Sequence, residues 1–246
     1  MNKLYIVIPA YNEQDTIKKV IDDWYPIVEK IGGESRLVIV NDGSRDRTAE
    51  ILEEYAKDHE RLTGLTKENG GHGAAILYGY RYALKKGAEY VFQTDSDGQT
   101  VSSEFWGFWK RRKKYDMVIG HRQKRQDGFS RIMVTKVLKL TLLLLFHVNI
   151  PDANTPFRLM KADTLAKCLP LIPPEYNLSN VIISVIYKKK KLAVRYLPIT
   201  FLPRQGGVNS INMKKIIKIG SQACRDFRTI NRVIADSAEE GNGIES

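Results

Sequence analysis

The sequence is poor in cysteine and has no long hydrophobic run, and each shortage excludes something. Only two of its 246 residues are cysteine, Cys168 and Cys224. They lie far apart and in no metal-ligand spacing, as expected of free thiols in a reducing cytoplasm. The longest apolar run, Leu140 to Phe146, is broken by Thr141 and preceded by Lys136 and Lys139. That is far short of the ~20 residues needed to span a bilayer. Met1-Asn2-Lys3 leads straight into a strand pattern, so no signal peptide is expected. Acidic residues are also in deficit, with 28 against 39 basic ones and a net charge of +11. Such a charge suits nucleic acid, an anionic membrane surface or a phosphate-rich substrate. No zinc-finger, RNA-recognition or helix-turn-helix pattern is present, which argues against nucleic acid. A membrane surface is the expected partner, through a basic-amphipathic helix over Arg131–His147 with help from Lys214, Lys215 and Lys218. The rival expectation is that Leu140–Phe146 packs in the core.

Hydrophobic residues make up 43% and charged residues 27%, the balance of a globular chain able to bury a core. Near-continuous apolar runs at Leu4–Ile8, Leu37–Val40, Glu89–Thr94 and Met117–Ile119, with a weaker one at Leu62–Thr66, read as strands buried on both faces. Pro9 is expected to end the first. Helical spacing over 13–31, with a kink or break at Pro26, and over Thr48–Lys57, Gly73–Lys86 and Phe105–Lys114 separates them. Repeated alternation of this kind predicts a mostly parallel sheet with helices on both faces. Later elements are expected at Ala162–Leu169, Leu178–Lys188 and Ile211–Ile234 as helices and Leu192–Phe201 as a strand. Lys188–Lys191 reads as a solvated turn and 235–246 as a disordered tail.

Ligands of such sheets bind beyond the carboxyl ends of the strands. Three of those ends are polar and acidic: Asn12-Glu13, Asn41-Asp42 and Asp95-Ser96-Asp97. In extended chain Asp95 and Asp97 face one side, and Gly98 lets the chain turn sharply after them. Two carboxylates so placed suit Mg²⁺ or Mn²⁺, which leave their other positions to water and substrate phosphates. An EF-hand is excluded, because Trp106 falls where its bidentate Glu belongs. Gly71-His72-Gly73 is neither a dinucleotide fingerprint, since Ile76 replaces the third glycine, nor a P-loop. It remains a glycine-rich turn able to approach a pyrophosphate or sugar at a helix N-terminus, or simply a tight helix entry. His72 reads as a loop hydrogen-bonder and Arg158 as a surface ion-pair partner unless the site recruits it.

Ile6-Val7-Ile8-Pro9-Ala10-Tyr11-Asn12-Glu13, Val40-Asn41-Asp42-Gly43-Ser44 with Asp46 and Thr48, and Asp95-Ser96-Asp97-Gly98-Gln99 together resemble a family 2 glycosyltransferase. The nearest resemblance is to the polyprenyl-phosphate branch, which includes the dolichol-phosphate mannose synthases. Further echoes are Asn69–Ala75, Ile119–Arg122, Phe157-Arg158 and Arg204–Gly207. The resemblance implies an α/β glycosyltransferase A-type, Rossmann-like domain over 1–234. Its nucleotide-sugar part would be 1–120 and its acceptor side 121–234. It implies that Pro9, Tyr11 and Glu13 hold the base and ribose, that Asp42 lies near the nucleobase, and that Ser96 and Arg122 also contact the nucleotide-sugar. Asp95, Asp97 and Gln99 would form the metal–diphosphate site. Asp97, Arg122 and Arg204 would carry catalysis, with Arg158 and Arg204 at the acceptor phosphate.

The expected activity is metal-dependent, inverting transfer of a hexose from a GDP- or UDP-linked donor to a polyprenyl phosphate. The enzyme would sit peripherally on the cytoplasmic face of the membrane. The branch often has Asp-Asp where this chain has Asn41-Asp42. It usually has Lys after Gly-x-Ser, where this chain has Asn209-Ser210, leaving open whether Lys214 or Lys215 substitutes. The C-terminal transmembrane helices of some relatives are not seen. Relatives that glycosylate hydroxyls carry a Glu-Asp pair at the place of Tyr176–Asn180, and this chain has none there, although Glu175 is close. A hydroxyl-acceptor transferase, a sugar-nucleotidyltransferase and a non-catalytic membrane-surface module are the competing expectations.

Overall fold

The computed structural model describes residues 3–122, 139–203 and 231–232. Seven strands form one sheet: β1 (Leu4–Ala10), β2 (Arg36–Asn41), β3 (Leu62–Thr66), β4 (Tyr90–Gln93), β5 (Met117–Arg122), β6 (Arg158–Lys161) and β7 (Val194–Ile199). Their order is β3-β2-β1-β4-β6-β5-β7. Neighbours are parallel except that β6 runs antiparallel to both β4 and β5. The helices are α1 (Ile17–Ile31), α2 (Thr48–Asp58), α3 (His72–Lys85), α4 (Phe105–Trp109), α6 (Ala162–Cys168) and α7 (Ser179–Lys189). Helical residues 139–146 form α5.

Strand residues alternate between two cores, as a period of two requires. Val7, Val38, Val40, Val91 and Ile119 pack with the apolar faces of α3, α6 and α7. Ile6, Ile8, Leu37, Ile39 and Phe92 pack with those of α1, α2 and α4. Helices on both faces are therefore what these strands need, and the expected α/β class is what the structure shows.

Several boundaries differ from expectation for physical reasons. Strand β1 runs through Pro9 to Ala10. Its pairing with β4 ends at Val7, so Pro9 faces a neighbour on the β2 side alone and its missing N–H breaks no ladder between three strands. Helix α1 is continuous across Pro26. Pro26 and Asp22, whose carbonyl loses its partner, are both exposed, so water can take that bond. Helix α4 stops at Trp109. Five consecutive cations, Lys110–Lys114, follow it in turns closed by i→i+3 bonds such as Lys114 N–H to Arg111 O, 3.0 Å. Strand β6 was not expected. Its four residues, Arg158–Lys161, put a cation at each end of Leu159-Met160, which hides a central strand.

The strand order also locates a crevice. Strands β1, β2 and β3 build outward in one direction, whereas β4 lies on the opposite side of β1. The carboxyl ends of β1 and β4 thus flank the point where the winding reverses, the place where open α/β sheets bind ligands.

Candidate functional site

Beyond β1 and β2 two loops are stitched together by the polar residues of the Asp-Gly-Ser-x-Asp-x-Thr stretch. Ser44 Oγ accepts the Asn12 N–H at 3.0 Å and Thr48 Oγ1 accepts the Glu13 N–H at 2.9 Å. Asp46 accepts the Gln14 N–H at 3.1 Å, and Asn12 Oδ1 accepts the Arg45 N–H at 2.8 Å. Asp46 resists burial of its charge, but hydrogen bonds from the Thr48 hydroxyl, Thr48 N–H and Gln14 N–H outweigh that and hold its carboxyl below the usual range. Asn12 has φ +54°, a left-handed turn that Asn tolerates better than most side chains. These bonds fix Tyr11 and Glu13. Glu13 is buried, with Oε2 accepting the Thr16 hydroxyl at 2.6 Å, while Tyr11 is 43% exposed at the mouth.

The glycine-rich turn hangs on Asp42. That carboxylate is buried and accepts Lys67 Nζ at 2.9 Å, Gly70 N–H at 3.0 Å and Gly71 N–H at 2.8 Å. Asn69 Nδ2 donates to the Asp42 carbonyl at 2.8 Å. Gly71 has φ +92°, and a Cβ there would strike Asn177 Oδ1; one on Gly73 would strike the Tyr176 and Asn177 carbonyls. Glycine is required at both places, and the contact brings the Tyr176–Asn180 segment to the same turn. Asp42, expected near the nucleobase, lines the cleft of the site, and its carboxylate anchors this loop. Lys67 was not anticipated, and Asn69 enters the sequence pattern only as part of the run Asn69–Ala75, with no role of its own.

At the end of β4, Asp95 Oδ1 lies 2.9 Å from His72 Nε2. Desolvation disfavours a charged imidazole here, but the charge and hydrogen bond of Asp95, with Asp97 and Asp42 behind, raise the His72 pKa above its ordinary value. The His72 side chain is still 52% exposed, so water screens much of that pairing. Asp97 Oδ1 accepts the Gln99 N–H at 3.1 Å across Gly98, whose φ is +69°. Gln99 Nε2 donates to the Leu202 carbonyl at 2.9 Å, which leaves its Oε1 as the atom able to meet a cation. Among the described residues no cluster of three His, Cys, Asp or Glu side chains is placed to hold a metal by itself.

A cleft of about 360 Å³ joins these pieces; Pro9, Tyr11, Glu13, Asp42, Ser96 and His72 are among its walls. Asp95, Asp97, Gln99 and Arg122 are not among them, although Ser96 between the two aspartates and His72, the partner of Asp95, are. Arg122 is nearly buried and gives Asp152 a two-pronged ion pair, Nε at 2.7 Å and Nη2 at 2.8 Å. Its guanidinium sits 5.0 Å from the centre of the Phe201 ring. The 201–202 segment thus supports both Arg122 and Gln99, a link between distant residues that no local pattern announces.

Arg158, expected at the acceptor phosphate or as a surface ion-pair partner, is not at the surface, and its guanidinium is turned into the fold. It is wholly buried, donating through Nε, Nη1 and Nη2 to the carbonyls of Ala153, Thr155 and Asn180 and to Ser184 Oγ. Those bonds occupy every guanidinium N–H. Burial without a paired carboxylate lowers its pKa, partly offset by Tyr80 and Asp152. Arg204, Lys214, Lys215, Lys218, Cys224, the 131–138 part of the basic helix, the Ile211–Ile234 helix except 231–232, and the 235–246 tail lie outside the described residues. Of Leu140–Phe146, Leu142 and Phe146 are buried, while Leu140, Leu143 and Leu144 are 56%, 48% and 65% exposed.

Comparison with known proteins supplies the remaining observations. The model of the family "Glycosyl transferase family 2" matches residues 5–169. An undecaprenyl-phosphate 4-deoxy-4-formamido-L-arabinose transferase of Pectobacterium atrosepticum is 31% identical over 140 residues, 56% of this chain and 42% of that protein. A dolichyl-phosphate beta-glucosyltransferase of Trichomonas vaginalis is 31% identical over 171 residues, 62% of this chain and 50% of that protein. The chain spans about half the length of the curated relatives it matches. Among solved structures, glucosyl-3-phosphoglycerate synthase from Mycobacterium tuberculosis, in complex with Mn²⁺, UDP-glucose and phosphoglyceric acid, superposes with TM-score 0.67. The superposition is at 17% identity and covers 94% of this chain and 79% of that one.

Proposed function

Because this chain belongs to glycosyl transferase family 2, we propose that it moves a hexose from a GDP- or UDP-linked donor onto a polyprenyl phosphate, with inversion at the sugar carbon. The observation that carries the acceptor class is at the glycine-rich turn. The Tyr176–Asn180 segment meets that turn through Asn177, an amide that cannot take up a proton. A hydroxyl acceptor needs a general base, whereas a phosphate acceptor is already ionised at neutral pH. The names of the two curated relatives, both transferases to a polyprenyl phosphate, support the same choice.

The base and ribose of the donor occupy the cleft between Tyr11, Glu13 and Asp42, with Ser96 toward the diphosphate. Asp97 and the Gln99 carbonyl oxygen, with Asp95, hold Mg²⁺ or Mn²⁺. The donor set fits such an ion: hard oxygens, too few to encircle it, beside an open cleft. When bound, the metal neutralises charge on the departing nucleoside diphosphate. His72 keeps Asp95 oriented, and the Gly71 turn brings backbone N–H groups to the helix α3 N-terminus. Arg122 uses Nε and Nη2 on Asp152, leaving Nη1 to meet a phosphate oxygen from a fixed direction. Arg204 is assigned to the acceptor or leaving phosphate on the resemblance of its sequence, and Arg158 to the scaffold beneath the site. Residues 1–234 act as one catalytic unit, with 1–120 on the donor side.

Among the described residues no helix is long and apolar enough to cross a membrane. Leu140, Leu143 and Leu144 repeat at helical spacing and stay exposed on α5, opposite Leu142 and Phe146. That stripe, with the basic residues before it, is assigned to peripheral contact with the membrane that carries the acceptor. A donor screen against a short polyprenyl phosphate, with product read by mass, tests the activity. A glycolipid phosphate product formed only with a divalent cation is expected. Transfer to a sugar hydroxyl alone, or donor hydrolysis without lipid product, overturns the acceptor assignment.

A further inference from the structure

A second recess lies along α3, well down the helix from the cleft. It encloses about 400 Å³ and is shallow, with Leu84 of α3, Ala166 of α6, and Leu169, Pro170 and Pro174 supplying an apolar wall. One charged side chain enters it, Arg81. Three other arginines that are not fully exposed rest on oxygen: Arg36 on the Glu60 carbonyl, Arg122 on Asp152, Arg158 on backbone carbonyls. Among the described residues Arg81 makes no hydrogen bond, ion pair or ring contact. It is partly buried, and that desolvation alone pulls its pKa below the ordinary arginine value.

A partly desolvated guanidinium with no acid paired to it among the described residues is costly to leave alone. An apolar wall beside it rewards hydrocarbon and penalises a fully hydrated ion. We propose that this recess is a second binding site, for a single-chain amphipathic anion whose carboxylate or phosphate head pairs with Arg81 while its first carbons lie on Leu84, Ala166 and Leu169. Free phosphate satisfies Arg81 but leaves the wall bare, and a neutral alcohol does the reverse. Only a molecule with both parts answers both features. The recess is concave, so it suits a single molecule better than the plane of a membrane. This site is independent of the reading of the cleft, and its ligand is not the nucleotide-sugar.

Ligand-observed NMR titration of the full chain tests it, with octanoate, 1-octanol and inorganic phosphate as probes. Octanoate is expected to bind at least about tenfold more tightly than either of the others, the scale of one charge-assisted hydrogen-bonded pair. Arg81→Gln removes that preference. Ala166→Phe, on an exposed position where a larger side chain does not disturb the core, blocks octanoate altogether. UDP with Mn²⁺ leaves octanoate bound. Equal affinity for octanoate and octanol, undiminished octanoate binding in Arg81→Gln, absence of octanoate binding, or its displacement by nucleotide each overturns the proposal. The three-probe comparison on the unaltered protein decides the matter even if a variant folds poorly.

Discussion

Asp42→Asn changes one atom and should unfasten the glycine-rich turn. The carboxylate now accepts three donors from within the fold: Lys67 Nζ and Gly70 N–H on Oδ1, and Gly71 N–H on Oδ2. An asparagine keeps one acceptor oxygen. Whichever way its amide is turned, an NH₂ confronts an N–H or an ammonium at about the present 2.8–3.0 Å. A buried donor left without an acceptor costs about 1–3 kcal/mol, and Asp42 is only 2% exposed. Lys67, with its side chain 19% exposed, can turn to water, so loss of that ion pair adds about 1 kcal/mol, closer to the exposed-pair than to the buried-pair range. Together these give about 3 kcal/mol, or a fall in Tm of roughly 6–12 °C for a domain of this size. Thermal melting of Asp42→Asn, Lys67→Met and the double variant measures it, with the double variant losing less than the sum. An Asp42→Asn protein whose Tm moves by less than about 2 °C would refute the anchoring role.

Three further outcomes follow from the geometry. Arg158→Met should be among the most destabilising single changes, about 3–5 kcal/mol by urea unfolding, because it removes a buried five-bond network and leaves the Thr155 carbonyl without its donors; an ordinary surface-scale loss would contradict the buried network. In the metal-free protein the His72 pKa lies above its ordinary 6.5, so the stability it contributes is complete below that value and fades as pH rises through the raised one. Melting of wild type and His72→Gln between about pH 5.5 and 8.5 should therefore differ most at the acid end, and a difference that grows toward alkaline pH would reverse the sign. Burial pushes the Cys168 thiol up to about 11, so peptide mapping after native alkylation should find Cys168 unmodified and modified only on unfolding.

The parallel strands β1 and β2 are legible because both faces are buried, so their sequences are unbroken apolar runs. Strand β6 is not, since Arg158 at its start is buried on carbonyls of the preceding loop and of α7, which no strand pattern contains. The extent of α4 misleads for a different reason: Lys and Arg favour helix individually, but five like charges in a row, Lys110–Lys114, repel one another and close in turns. At the strand ends, Asp, Asn and Glu at the carboxyl edge of a parallel sheet stand out in the sequence, but that Asp42 and Asn12 also tie the loops together is not legible from residue type. What escaped was the work of second contacts. Ser44, Asp46 and Thr48 bind the neighbouring loop, and Phe201 and Leu202 support Arg122 and Gln99 from far along the chain. Such pairings depend on the sheet order, which strand identity alone does not fix.

Calorimetric titration of UDP and GDP into the protein, with and without Mn²⁺, and again with Asp97→Ala, tests the central claim most directly. At least one nucleoside diphosphate should bind the wild type in a metal-dependent way, and Asp97→Ala should lose that dependence while its Tm stays within a few degrees, as expected of an exchange at the rim of an open cleft. Nucleotide binding that is equally tight without metal and in Asp97→Ala, or no binding of either nucleotide under any condition, would contradict it.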